Sequence, residues 1–181
     1  MCGFGDKDRR PCSPPPIVQL LVYDQFGNLV DPNNLNTIFY LVTVKLYNSS
    51  GTEESCFVYD IGAPPSNQSV LLRNLVGTYT SSANKLRDLE NQLGIFFLFP
   101  DLSVRNEGIY RLKFTFTNLE LHFKNGMQPN QNIVSPPLCE VLSEPFQVFS
   151  AKKFEGMVET SALSKCFARQ GIKLPIRKDM S

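Results

Sequence analysis

Few side chains in this sequence have chemistry to offer: one histidine, five scattered cysteines, two close pairs of acids and two short basic clusters. The lone imidazole, His122, sits between Leu121 and Phe123, a setting that suits a partly buried histidine at a strand end better than a catalytic base or metal ligand. No G-x-S-x-G elbow accompanies it, so a Ser-His-Asp arrangement has no nucleophile. A P-loop and a G-x-G-x-x-G turn are both missing, which leaves nucleotide chemistry without a phosphate cradle. Glu53/Glu54 and Asp88/Glu90 lie on polar stretches and fit solvated faces rather than acid–base work. The cysteines, Cys2, Cys12, Cys56, Cys139 and Cys166, are odd in number, widely spaced and free of any C-x-x-C. That pattern excludes a disulfide framework and a thiolate zinc site. The expectation is therefore a protein that is not an enzyme, with no cofactor and no metal, in a compartment that keeps thiols reduced.

The basic clusters are more informative. Lys7, Arg9 and Arg10 precede the triplet Pro14-Pro15-Pro16, and Lys152-Lys153 follow an apparent last strand. Net charge is only +1, yet it is unevenly spread: residues 1–10 sum to +1, residues 152–179 to +4 and the stretch between to −4. Basic ends that meet in space would form the positive footprint nucleic acid requires. Ends that stay apart would simply be solvated termini. The opening residues lack an apolar signal core, and no run approaches the ~18 apolar residues of a membrane span.

These clusters need elements to hold them. With 181 residues, 42% hydrophobic and 19% charged, the chain has material for one core, filled mainly by its 14 Phe in the absence of Trp. Thirteen Pro and eleven Gly call for many turns. The strongest strand is the run after Asn106-Glu107-Gly108-Ile109-Tyr110: Leu112, Phe114 and Phe116 share one face, Arg111, Lys113 and Thr115 the other. Acidic-x-Gly-x-Tyr at a strand start matches the tyrosine corner of immunoglobulin-like sandwiches, with Leu112 where antibody domains place a Cys. Further strands are expected at 17–23, 38–47, 55–59, 70–77, 95–99 and 140–149. Residues 81–94 carry Leu86, Leu89 and Leu93 at helical spacing, predicting a short helix or ordered loop. Residues 160–170 carry Leu163, Cys166 and Phe167 between a Thr160 or Ser161 cap and Gly171, predicting an amphipathic helix. The basic tail 173–178 offers an added edge strand, and 118–137 a long surface loop. The fold class is thus all-β: an antiparallel sandwich of 17–181 with one or two short helices, preceded by a basic, proline-rich arm, 1–16.

Several blocks together resemble a known family. Lys7-Asp8-Arg9-Arg10-Pro11, Pro14 to Leu20, Leu75-Val76-Gly77, Phe97 to Arg105, Leu142 to Phe146 with Phe149 to Phe154, and Gln170 to Lys178 occur in the order found in the velvet domain of fungal developmental regulators. The first ten residues are most similar to the branch whose members form heterodimers. The resemblance implies a Rel-homology-like sandwich that grips double-stranded DNA with loops at one end and pairs with itself or another velvet-domain protein. It also implies entry into the nucleus and a role in sporulation and secondary metabolism. The family's DNA-contacting segment maps onto Lys7, Arg9 and Arg10. Cys12-Ser13 departs from the usual pattern there, and 118–137 is short where some members carry an insertion. Lys152 and Lys153 join the assignment on chemistry: arginine reads guanine edges bidentately, and lysine suits phosphate. The alternative is a dimerisation or scaffold module whose partner holds the DNA, with 160–170 and 81–94 as its docking surfaces.

Overall fold

The computed structural model describes residues 1–3, 7–61, 69–120 and 137–175. Its centre is β10 (Gly108–Asn118), the strand with the clearest alternation. Leu112 and Phe114 are buried on one face, as the period of two requires. Along one edge β10 pairs antiparallel with β2 (Tyr40–Asn48) through nine residues, from Tyr110↔Asn48 to Asn118↔Tyr40. Along the other it pairs with β11 (Cys139–Leu142) and β12 (Phe146–Val148). The expected last strand is thus one run broken at Ser143-Glu144-Pro145. There proline cannot donate, and the Ser143 hydroxyl accepts from the Leu112 amide at 2.9 Å in place of a ladder bond. β6 (Thr80–Ser82) completes this sheet beside β2.

The second layer is β1 (Ile17–Leu20), β8 (Leu93–Leu98) and β7 (Asn84–Arg87), in the order β1-β8-β7. The chain passes from one layer to the other between β6 and β7, and the Ser81 hydroxyl accepts from the Leu98 amide at 2.9 Å to tie the layers there. β8 is apolar on both faces because both are covered. Ile95 and Phe97, with Phe99 beyond, enter the core between the sheets, against Val42, Val44, Leu46, Leu112 and Phe114. Phe96 and Leu98 point the other way, onto α1 (Ala162–Arg169), where Phe167 joins them. Two ribbons finish the fold: β3 (Phe57–Ile61) with β4 (Ser69–Arg73), and β5 (Leu75–Val76) with β9 (Ser103–Val104). The result is the all-β antiparallel sandwich expected.

The tyrosine corner is present: Tyr110 donates its hydroxyl to the Glu107 carbonyl at 3.4 Å. Gly108 sits at φ +152°, and a Cβ there would meet the Tyr110 ring at 3.1 Å. The predicted helix α1 is capped by Ser161, whose hydroxyl accepts from the Ser164 amide at 3.2 Å. Beyond the helix, the Gln170 side-chain amide meets the edge of β7 like an extra strand residue. It donates to the Arg87 carbonyl at 2.7 Å and accepts from the Arg87 amide at 2.9 Å.

Three expectations are corrected. Residues 81–94 form no helix; they are the end of β6, then β7, a turn and the start of β8. The Asp88 carboxylate takes the Glu90 and Gln92 amides at 3.0 and 2.8 Å, and Asn91 adopts φ 60°, which closes a hairpin. Leu86 and Leu93 therefore sit on paired strands, and Leu89 is exposed at the turn. Residues 70–77 are two strands rather than one, divided at Asn74, whose buried side chain bonds to other segments. Lys173 to Pro175 form no edge strand, and 176–178 lie outside the described residues. So does 121–136, most of the expected 118–137 loop, together with His122. Among the described residues no helix is long and apolar enough to cross a membrane.

Candidate nucleic-acid interface

The sandwich lays the N-terminal arm across one end of itself. The Cys2 amide donates to the Phe149 carbonyl at 2.8 Å, the Gly3 amide to the Arg105 carbonyl at 3.0 Å and the Cys12 amide to the Leu102 carbonyl at 2.7 Å. Cys2 and Cys12 also pack against the main core. The arm is thus stitched to the β9–β10 loop and to the exit of β12, the strand that delivers Lys152-Lys153.

This end brings the expected basic residues onto neighbouring segments. Lys7 is exposed. Arg9 is half-buried and donates from Nε to the Ser103 hydroxyl of β9 at 3.1 Å, which fixes its stem. Arg10 is exposed and folds back so that Nη1 reaches the Lys7 and Arg9 carbonyls at 3.2 and 3.3 Å. Lys152 and Lys153 occupy an exposed turn, closed by the Lys153 amide on the Ser150 carbonyl at 3.1 Å. Lys153 Nζ stands 3.8 Å from the Glu107 carboxylate across the loop. Both side chains are exposed, so this pair orients more than it stabilises.

One residue at this end escaped the sequence assignment. Arg105 follows β9 and lies between arm and turn; its Nε donates to the Arg73 carbonyl at 2.7 Å. Arg73 in turn places its guanidinium over the Phe57 and Tyr79 rings, 5.5 and 5.0 Å from their centroids. The available signal was position: Arg105 immediately precedes the Asn-Glu-Gly corner, where a loop must cross this pole. Lys7, Arg9, Arg10, Arg105, Lys152 and Lys153 thus gather on segments that also carry the acids Asp8 and Glu107.

Among the described residues no group of three or more His, Cys, Asp or Glu is placed to hold a metal ion. Glu54 pairs with Lys45 at 2.7 Å on an exposed face, and Asp88 serves its turn. The thiols differ sharply in setting. Burial pushes Cys12 up to about 11, and it also raises Cys56, whereas Cys139 is exposed on β11. Since the thiolate is the nucleophile, iodoacetamide at pH 8 should alkylate Cys139 at least about tenfold faster than Cys12. Peptide mass mapping over time measures this, and equal rates would mean that the arm is not laid down as described.

The family model described as Velvet factor matches residues 1–69 and 60–180. The chain belongs to the velvet family. This velvet chain is 32% identical to a velvet complex subunit of Aspergillus flavus, over 99% of its own length and 75% of the relative's. It is 33% identical to a velvet complex subunit of Emericella nidulans, with the same coverage of 99% and 75%. A velvet complex subunit of Pyricularia oryzae is 48% identical over 124 residues, which cover 65% of this chain and 28% of that protein. The Aspergillus flavus alignment runs over 270 positions against 181 residues here, so the relative holds additional residues within the matched span. The two stretches of the velvet match overlap at 60–69, from the end of β3 to the start of β4.

Proposed function

We propose that this velvet domain is a non-enzymatic, sequence-specific binder of double-stranded DNA. In this reading it regulates transcription in the nucleus as a dimer with itself or another velvet-domain protein, and it serves fungal sporulation and secondary metabolism. The observation that carries the reading is the convergence of the arm, the Arg105 loop and the Lys152-Lys153 turn at one pole. Arg10 and Arg9 supply forked donors for base edges in a groove, with Arg9 steadied by Ser103. Lys7, Lys152 and Lys153 supply point charges for phosphates, and Arg105 sits where it can join either task. One protomer offers few contacts, so strong binding requires a dimer. The names of the relatives, velvet complex subunits, support velvet partners.

The test starts from DNA selected out of a random pool, with binding followed by fluorescence anisotropy over a salt series. Replacing Lys7, Arg9 and Arg10 together by Ala should weaken binding at least about tenfold and flatten the salt slope by roughly 0.9 for each phosphate no longer neutralised. Unchanged affinity in that variant would remove the arm from the interface.

A scaffold role with DNA held mainly by a partner has one observation in its favour. Phe57, Tyr59 and Leu71 are exposed on one face of the β3–β4 ribbon, a surface suited to another protein. Of the surfaces expected to serve this role, α1 turns its apolar side onto its own sheet, and 81–94 forms strands and a turn of the sandwich. Tight DNA binding by a strict monomer in sedimentation experiments would exclude it.

A further inference from the structure

A cavity of about 420 Å³ lies between the arm, the β10–β12 face and the segment that follows Lys153. Its size falls in the range of small-molecule sites. Val104, Leu112, Phe146, Phe154 and Met157 give it apolar walls that reach the edge of the main core. Among the described residues Arg10 is the only side-chain cation that lines it, and no Asp or Glu does. Arg10 spends Nη1 on two backbone carbonyls, and among the described residues no carboxylate neutralises it. An apolar chamber lined by Arg10 and by Met1, whose α-amino group is partly desolvated there, complements an apolar molecule with an anionic head. The planar fork of Arg favours a carboxylate, which it grips through two parallel N–H···O bonds.

We propose that this cavity is a binding site for a long-chain monocarboxylate, its alkyl chain between the arm and β10 and its carboxylate on Arg10. The site shares Arg10 with the proposed DNA interface, but its binding is measured without DNA, so either reading can fail alone.

The experiment uses protein labelled with 13C at the methionine methyls and titrated with laurate. The Met157 methyl, in the cavity wall, should shift saturably. Dodecyltrimethylammonium, of the same chain length and opposite charge, should bind at least about tenfold more weakly, as should laurate to Arg10→Gln; Arg10→Lys should recover part of the loss. Val158 lines the mouth and is itself exposed, so Val158→Trp should block entry while the thermal midpoint stays near that of the parent. A Met157 methyl that fails to shift saturably would overturn the proposal. Equal affinity for the two amphiphiles, or full laurate affinity in Arg10→Gln, would do the same.

Discussion

Truncating Phe167 to alanine should destabilise the domain by about 3–5 kcal/mol, the range for losing a buried aromatic from a packed site. Phe167 is 0% exposed and stacks at a tilt on Phe96, ring centroids 4.7 Å apart, with Leu86 and Leu98 closing the pocket. A helix of eight residues has little stability of its own; it persists because this ring anchors it. The loss therefore extends beyond a cavity: it strips the cover from the outer face of β8, whose Phe96 and Leu98 then meet water. Leu163 is only partly buried, so Leu163→Ala should cost clearly less. Urea unfolding followed by circular dichroism measures both. A Phe167→Ala loss under about 1 kcal/mol would mean that the helix is an ornament rather than half of the second core.

Asn74→Ala should cost about 2–4 kcal/mol through lost polar partners. Asn74 is 1% exposed. Its Nδ2 donates to the Ser55 carbonyl at 3.0 Å, and its Oδ1 accepts from the Asn106 amide at 3.1 Å. Its backbone adds two bonds, to the Cys56 carbonyl at 2.7 Å and from the Arg105 amide at 2.9 Å. Alanine keeps the backbone pair and leaves the part-buried Ser55 carbonyl and Asn106 N–H without this partner. The second consequence is local to the basic pole: the Arg105-Asn106 loop keeps its bonds through Arg105 but loses the one through the Asn106 amide. Faster hydrogen exchange at the Asn106 amide should accompany the loss of stability, along with weaker DNA binding despite an intact arm. If exchange at Asn106 stays at parent rates, Asn74 is not what positions that loop.

These two residues also mark the limits of reading the sequence. β10 was legible because its alternation is clean and its corner carries Gly108 and Tyr110. α1 was legible because a cap, an i, i+3, i+4 apolar set and a terminal glycine agree. β8 showed as an unbroken apolar run, but nothing in that run says that its second face belongs to a helix far downstream, since a two-sided strand has no period to read. Asn74 looked like one polar residue inside a strand; its partners lie on segments distant in sequence. The Asp88–Gln92 turn was hidden by leucines whose spacing suits a helix equally well. At the candidate interface, Lys7, Arg9, Arg10, Lys152 and Lys153 stood out as charge clusters. Arg105 did not, because a single arginine gains company only when the arm is laid beside it.

The bond pair between Gln170 and Arg87 bears on assembly. An exposed strand edge is a template for another chain, and natural sandwiches close such edges one way or another. In the layer β1-β8-β7 the β7 edge is occupied at Arg87 by a side-chain amide that mimics a neighbouring strand. The opposite edge, β1, pairs only with β8 among the described strands. Among the described residues the layer is therefore polarised: an incoming strand meets a side-chain amide at Arg87 of β7, whereas β1 has a strand partner on one side only. Any sheet built across two copies inherits that direction.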